Sequence, residues 1–233
     1  MASPRWYLNE LAQAGPEHLD AAYVAGYDRK VGPEAVDDLP LLRELGLGRE
    51  HTLIDLGAGT GALALAAAPF CRRVVAVDVS PAMLAVLRER AKGLGVGDLD
   101  VVQAGLLSYQ HQGELADFVY CRIVLHHPPD FWKVVALARI AALLTPGGVL
   151  QLRDLVFSFN PAAMDAAIED WLAGAGARPE DGWTRAELEE HLRQEYSTFS
   201  WLLEPMLERS GFEIQDAGHS TSRIFAAYVC IKI

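Results

Sequence analysis

From residue 50 onward, apolar residues come in short, nearly continuous runs separated by stretches of helical period. "HTLIDLG", "RRVVAVDV", "LDVVQAG", "ADFVYCRIVL" and "VLQLRDLVF" are five such runs. A run that is apolar on consecutive positions suits a parallel strand covered on both faces. Between the runs, "TGALALAAAPF", "SPAMLAVLRERAKGLG" and "PDFWKVVALARIAALL" carry helical patterns. The second of these has Ser80 as N-cap, Pro81 at the first helical position and basic residues near its end. The third is closed by "TPGG". Strands alternating with helices imply right-handed crossovers and an α/β fold, a doubly wound, mostly parallel sheet.

The flanks read differently. The first thirty residues, including "LDAAYVAGYDRK", look helical and break at Gly32-Pro33; residues 34 to 46 form a second helix ended by Gly46. After residue 156 two amphipathic helical patterns, "AAMDAAIEDWL" and "ELEEHLRQEY", flank the Gly/Pro-rich "AGAGARPEDG". A helix near "WLLEPMLERS" stops at Gly211, and "FEIQDAGH" with "IFAAYVCIKI" reads as an antiparallel strand pair at one end of the sheet. No linker splits the chain, so residues 1–233 are expected to form one domain: helices to 46, a core over 47–156, a helical insert over 157–198, and a last helix and strand pair over 199–233.

Composition narrows the class. A hydrophobic share of 51% allows a sizeable core without staples. No run of 18 uncharged apolar residues appears and "MASPRWYLNE" lacks a signal core, which leads to the expectation of a soluble cytoplasmic protein with no membrane partner. Cys71, Cys121 and Cys230 fall far apart on apolar segments, the pattern of buried thiols rather than disulfides or zinc. A net charge of −11 repels phosphate backbones, so nucleic acid is a poor partner and a small molecule a better one.

Chemistry concentrates in "LIDLGAGTG". Gly57, Gly59 and Gly61 lie where the first core strand turns into its helix, at the carboxyl edge where open α/β sheets bind ligands. Glycines there let the backbone approach a ligand without Cβ atoms in the way. Asp78 ends the next strand, 78 − 59 = 19 positions beyond the middle glycine, a place from which a carboxylate can accept bonds from ribose hydroxyls. The pattern Asp-x-Gly-x-Gly-x-Gly is not the Gly-x-Gly-x-x-Gly that seats a pyrophosphate. Asp55 would repel a pyrophosphate and tolerate an ammonium.

On "LIDLGAGTG", "VVAVDVS", "ADFVYCRIVLHH" and "LLTPGGVLQLRD", over roughly residues 50 to 155, the chain resembles the class I S-adenosylmethionine-dependent methyltransferases, in particular their quinone- and secondary-metabolite-modifying branch. The resemblance implies a Rossmann-like seven-stranded sheet with S-adenosyl-L-methionine as cofactor. It implies Gly57, Ala58, Gly59 and Gly61 under the methionine part, Asp55 ordering that turn near the ammonium, Asp78 with Val79 at the ribose, and Met83 at the adenine. Where relatives often carry an acid for the adenine amino group this chain has Gly105, so backbone groups of Gly105 and Leu106 are expected to serve instead. Cys121 and Arg122 at the end of the fourth strand are also placed beside the cofactor. Tyr27, on an N-terminal helix that folds over the cofactor, is placed near its carboxylate. The insert over 157–198, with Trp171, Trp183, His191 and Tyr196, corresponds to a substrate lid.

Methyl transfer from a sulfonium is an in-line displacement, for which alignment and exclusion of water matter most. A general base is needed only when the nucleophile starts protonated. His126 and His127, after the fourth strand, and Asp154, ending the fifth, are the catalytic candidates. The structural alternative for each is a packed histidine or a turn cap. No metal set is expected, because no carboxylate or cysteine stands at ligand spacing from the histidines. The function expected is methyl transfer to a small-molecule acceptor. A tRNA-modifying methyltransferase, a non-catalytic cofactor-binding partner protein and, more distantly, an NAD-dependent dehydrogenase are the alternatives. The oligomeric state is open, a homodimer included.

Overall fold

The structure, a computed structural model, describes residues 4–15, 18–31, 34–97 and 99–233. Helices α1 (Glu10–Gln13), α2 (Ala21–Val31), α3 (Glu34–Asp37) and α4 (Leu39–Glu44) precede the first strand. Then follow β1 (Thr52–Leu56), α5 (Ala62–Ala67), β2 (Arg73–Asp78), α6 (Pro81–Leu94), β3 (Leu99–Gln103), β4 (Ala116–Arg122), α7 (Asp130–Leu143) and β5 (Leu144–Phe157). The chain ends with α8 (Met164–Ala173), α9 (Arg185–Gln194), β6 (Thr198–Phe199), α10 (Ser200–Arg209), β7 (Phe212–His219) and β8 (Phe225–Lys232).

The main sheet runs β3-β2-β1-β4-β5-β8-β7, with β6 paired to β5 off this path. All pairs from β3 across to β5 are parallel, whereas β8 is antiparallel to both β5 and β7. The expected seven-stranded mixed sheet is therefore present, with the two-residue β6 in addition. Strand order reverses between β1 and β4, and a crevice at the carboxyl ends of those strands is the topological consequence.

Alternation along each strand divides the core between two layers. Ile54, Leu56, Val75, Val77, Val119 and Cys121 share one face with Leu137 and Ile140 of α7 and Leu203 and Leu207 of α10. Leu53, Val74, Ala76, Phe118 and Tyr120 share the other with Leu42 of α4, Leu63 of α5, and Leu84 and Leu87 of α6. Both faces being covered is why the strands read as continuous apolar runs.

Three local expectations change. The helix expected over 34–46 is two pieces, broken at Asp38, which precedes Leu39-Pro40 at the start of α4; the break expected at Gly32-Pro33 lies outside the described residues. "TPGG" is not a turn before β5 but a bulge within it: Ala116 pairs with Leu144 and Phe118 with Val149. Gly147, at φ +79, supplies the left-handed step that such a bulge uses. Cys121 and Cys230 are buried as expected, while Cys71 is half-buried.

The insert over 157–198 rests on the β5–β8 end of the sheet. Ile168, Trp171 and Leu192 pack with Phe157, Phe159, Ile224 and Phe225. Thr184 and Glu187 form a reciprocal capping box that starts α9. Lys30 of α2 makes an ion pair with Glu187, and its ammonium lies 5.2 Å from the Trp183 ring centre. The N-terminal helices and the insert are thus joined to each other as well as to the core.

Candidate active site

The carboxyl edge from β3 to β4 opens into one crevice of about 780 Å3, solvent mouth included. Strand by strand, it is lined by Gly105 and Leu106 after β3, Asp78 and Val79 at β2, Gly57 and Gly59 after β1, and Arg122, Ile123 and Val124 at β4. Neighbouring strands lie about 4.8 Å apart, so three intervals give a track of roughly 14 Å.

The glycine turn is held from two sides. The N–H groups of Gly57 and Ala58 bond to Val77 O at 2.8 and 3.0 Å, and Gly59 N–H donates to Asp78 Oδ2 at 2.8 Å. Ser80 N–H donates to the other oxygen, Asp78 Oδ1, at 2.8 Å. Burial still holds the Asp78 carboxyl above the usual range, against these two N–H groups. Gly59 (φ +53) would direct a Cβ into open space, so at this position the crevice wall is bare backbone. Gly57 is glycine for a different reason: a Cβ would lie 3.1 Å from Val124 Cβ and closer still to its methyl. Val124 follows Ile123, whose φ of +54 is uncommon for a β-branched residue and turns the chain sharply off β4.

The N-terminal segment supplies a wall. Leu8, Glu10, Gln13, Ala14, His18 and Tyr27 all line the crevice. Asn9 caps α1 through Ala12 N–H, which sets the direction of Glu10. Glu10 reaches β3: Leu107 N–H donates to its Oε1 at 2.7 Å and the Ser108 hydroxyl to its Oε2 at 2.6 Å. A Cβ on Gly105 would stand 2.5 Å from Glu10 Cδ. The space vacated at Gly105 is thus filled by a carboxylate from a residue nearly a hundred positions earlier. Tyr27 is pushed up to about 12 by burial and then by the charge of Asp78, with Arg122 opposing. Met83, buried at the start of α6, also faces the crevice.

Beyond β4 lies the histidine pair. Asp154, buried near the end of β5, accepts from Val124 N at 3.1 Å and Leu125 N at 2.6 Å. It also accepts from Leu155 N at 2.7 Å, and its Oδ1 is 2.6 Å from His126 Nδ1. Burial alone would raise this carboxyl; the charge and hydrogen bond of His126 and the Leu155 N–H overcome it, so it titrates below the usual range. His127 Nδ1 lies 2.9 Å from Glu195 Oε2. The rings of His126 and His127 are 4.2 Å apart, and His191 is 5.1 Å from His126. Burial and then the charge of His126 push the His191 imidazole down to about 4.

Residues 195–197 reach the pair because backbone and a buried ammonium bring them there. Tyr196 N–H donates to His126 O at 2.9 Å. Lys133, in the first turn of α7 and 1% exposed, donates to Pro128 O at 2.9 Å, to Asp130 Oδ1 at 2.9 Å and to Tyr196 O.

Of the residues named from sequence, Tyr27, Gly57, Gly59, Asp78, Val79, Met83, Gly105, Leu106, Arg122 and His127 line the crevice. Asp55, Ala58, Gly61, Cys121, His126 and Asp154 do not. Asp55 points to the α5 side and accepts the Ala64 N–H, capping from below a helix whose own N-cap is glycine. Burial, and then the nearby charge of Asp78, push its carboxyl up to about 7. Ala58 packs against the core. A Cβ on Gly61 would meet Leu87 Cγ at 2.5 Å, so that glycine lets α6 approach rather than a ligand. Cys121 is fully buried among β-strand side chains. His126 and Asp154 stand behind His127 as support. Glu10, His18, Lys133 and Glu195 were missed from sequence; Glu195 stands at no ligand spacing from the histidines along the chain and reaches His127 only through the fold. Within 157–198, no residue lines the crevice among the described residues; His191 and Glu195 abut the histidine pair instead.

Residues 53–148 match the family described as a methyltransferase domain. The chain is similar to the ribosomal protein L11 methyltransferase of Symbiobacterium thermophilum, 34% identical over 56% of this chain and 41% of that protein. It is also similar to the ubiquinone biosynthesis O-methyltransferase of Xanthomonas campestris, 32% identical over 50% of this chain and 47% of the relative. The chain therefore spans less than half the length of these two relatives. Among solved structures, magnesium protoporphyrin IX methyltransferase from Synechocystis with bound SAM aligns at a TM-score of 0.65 and 16% identity, covering 99% of this chain and 100% of the other. A putative methyltransferase from Bacillus halodurans aligns at 0.63 and 20% identity, covering 84% and 98%. These two likenesses concern the fold. No helix among the described residues is long and apolar enough to cross a membrane.

Proposed function

We propose that this protein, whose residues 53–148 match a methyltransferase domain, transfers a methyl group from S-adenosyl-L-methionine to a small-molecule acceptor held beside His127. The observation that carries the reading is the track along four strand ends. It runs from the Glu10 carboxylate at β3, past Asp78 at β2 and the bare backbone of Gly59 at β1, to Arg122 and His127 at β4. Its length of roughly 14 Å and its order of groups suit an extended nucleoside joined to an amino acid. Asp78 then faces the ribose hydroxyls, Glu10 and Met83 the adenine, and Tyr27 with Arg122 the amino-acid end.

The bound cofactor supplies a methyl group on a sulfonium, already activated for displacement. The residues have the remaining tasks of aligning the acceptor and keeping water out. His127, bonded to Glu195 through Nδ1, is the group at the β4 end that can touch an acceptor. Asp154 and His126 position it from behind. A small acceptor is favoured because the N-terminal segment walls the crevice, and the −11 charge disfavours nucleic acid.

The test is calorimetry with S-adenosylhomocysteine, then mass spectrometry of phenols, quinols, amines and a peptide set after incubation with isotopically labelled cofactor. Saturable one-to-one binding with label in a small molecule supports the proposal. Label appearing only in peptide would move the acceptor class to proteins, and no binding would remove the reading.

A further inference from the structure

At the β4 end of the cofactor track, one cluster among the described residues has the composition and enclosure of an ion site. One ligand atom from each of His126, His127 and Glu195 can be chosen so that all three lie within 4.8 Å of one another. The three residues come from two distant stretches, clamped together by the Tyr196–His126 backbone bond and by Lys133. Their side chains are 4%, 18% and 16% exposed, so this is an enclosed site and not a surface cluster.

Two further observations point to a ligand. His126 gives its Nδ1 to Asp154, which fixes the ring and leaves Nε2 for another partner; a carboxylate behind an imidazole is the usual support of a metal-binding histidine. Ligand atoms about 2.1 Å from a tetrahedral ion stand roughly 3.4 Å apart. The 2.9 Å between His127 Nδ1 and Glu195 Oε2 and the 4.8 Å limit of the set bracket that value. Small side-chain movements suffice to admit the ion.

We propose that His126, His127 and Glu195 bind a divalent transition-metal ion of the zinc type, with its open coordination position toward the crevice at His127. Two imidazoles and one carboxylate suit Zn2+, Co2+ or Fe2+, whereas Mg2+ and Ca2+ demand oxygen-rich shells. Three protein ligands leave the fourth position for a water or a substrate oxygen. The consequence for acceptor chemistry rests on the methyl-transfer reading: a hydroxyl or enol oxygen on the ion would lose its proton to bulk water near neutral pH, and the resulting oxyanion would form an O–CH3 bond as the S–CH3 bond of the cofactor breaks and S-adenosylhomocysteine leaves. Binding of the ion does not depend on that reading.

The experiment uses the whole chain, freed of metal by chelation and titrated with Co2+, following the visible absorption of the coordinated ion and its displacement by Zn2+. One Co2+ per chain is expected, bleached by one equivalent of Zn2+. Glu195→Gln should weaken binding at least tenfold, and His127→Asn should do the same, each with a melting temperature and S-adenosylhomocysteine affinity measured alongside. His111→Gln and His219→Gln, remote histidines, should leave the titration unchanged. The proposal is overturned if wild type shows no saturable Co2+ band. It is equally overturned if a folded Glu195→Gln or His127→Asn protein binds as wild type does. S-adenosylhomocysteine binding without Co2+ binding removes this proposal and leaves methyl transfer standing; the reverse pattern does the opposite.

Discussion

Gly105 and Glu10 offer a test in which two substitutions should correct each other. Replacing Gly105 with Ala places a methyl 2.5 Å from Glu10 Cδ, a separation no packed structure holds. Glu10 ends in a flexible side chain, so it will swing away rather than displace β3. In swinging it gives up the Leu107 N–H and the Ser108 hydroxyl, along with its place at the crevice. A hydrogen bond to a charged group contributes about 1.5–3 kcal/mol, so loss of one such bond to the adenine amino group should weaken S-adenosylhomocysteine binding roughly 10- to 150-fold. Glu10→Ala should cost about as much. In the Glu10→Ala background, Gly105→Ala has nothing left to displace and should be close to silent, which makes the pair strongly non-additive. Glu10→Ala with Gly105→Asp returns a carboxylate to the same volume from the other segment and should recover most of the affinity. Isothermal titration of all five proteins measures the cycle. Additive losses, or a Glu10→Ala/Gly105→Asp protein no better than Glu10→Ala alone, would refute the claim that these two positions share one volume and one task.

Other outcomes follow from the same geometry. Gly59→Val should lose cofactor binding in calorimetry because the side chain occupies the track, and the strain of a β-branched residue at φ +53 should lower its melting temperature even though the Cβ meets nothing within 4 Å; unchanged affinity would misplace the track. Asp55 is predicted to make the ligand-free protein less stable as pH rises: its carboxyl titrates near 7 folded against 3.8 in the reference state, so the folded form keeps a proton that the unfolded form loses. This contribution is full below about pH 4 and gone above about pH 7, a difference on the order of 4 kcal/mol. Asp55→Asn, which keeps an acceptor for Ala64 N–H, should therefore match wild type in urea unfolding at pH 4 and exceed it at pH 8; equal stability at both would show that Asp55 ionises normally. Lys133→Met leaves the carbonyls of Pro128 and Tyr196 without their donor, at about 1–3 kcal/mol each. It should lower the melting temperature and speed hydrogen exchange at 195–198 more than at 53–57; uniform acceleration would mean the clamp is not local.

The elements of the core and the glycine turn could be read from sequence because their signals are local. Apolar runs fix the strands, Ser80 with Pro81 fixes the start of α6, and the interval from Gly59 to Asp78 is bridged by an actual hydrogen bond. Gly57 and Gly61 were recognised as necessary glycines, but sequence could not tell which faced ligand and which faced Val124 or Leu87. Glu195 and Glu10 were missed because their partners lie 68 and 97 positions away, and nothing in a run of residues encodes such a meeting. Lys133 looks like an ordinary helix-surface lysine until the Tyr196 carbonyl arrives over it. "TPGG" has the composition of a turn, and only the pairing of Leu144 and Val149 on either side of it with β4 keeps it in a strand.

The wall formed by residues 8–14 changes what counts as the cofactor-binding unit. The stretch matched by the methyltransferase family, 53–148, contains the sheet edge but not Leu8, Glu10, Gln13 or Ala14. A protein trimmed to that stretch would lose this wall together with most of β5 and all of β7 and β8, and would expose half a crevice. Conversely, exchanging the first fifteen residues is a way to retune nucleoside recognition without touching a single side chain of the sheet. For anyone handling the protein, the practical corollary is that an affinity tag belongs at the carboxyl end, where Ile233 is exposed and remote from the track.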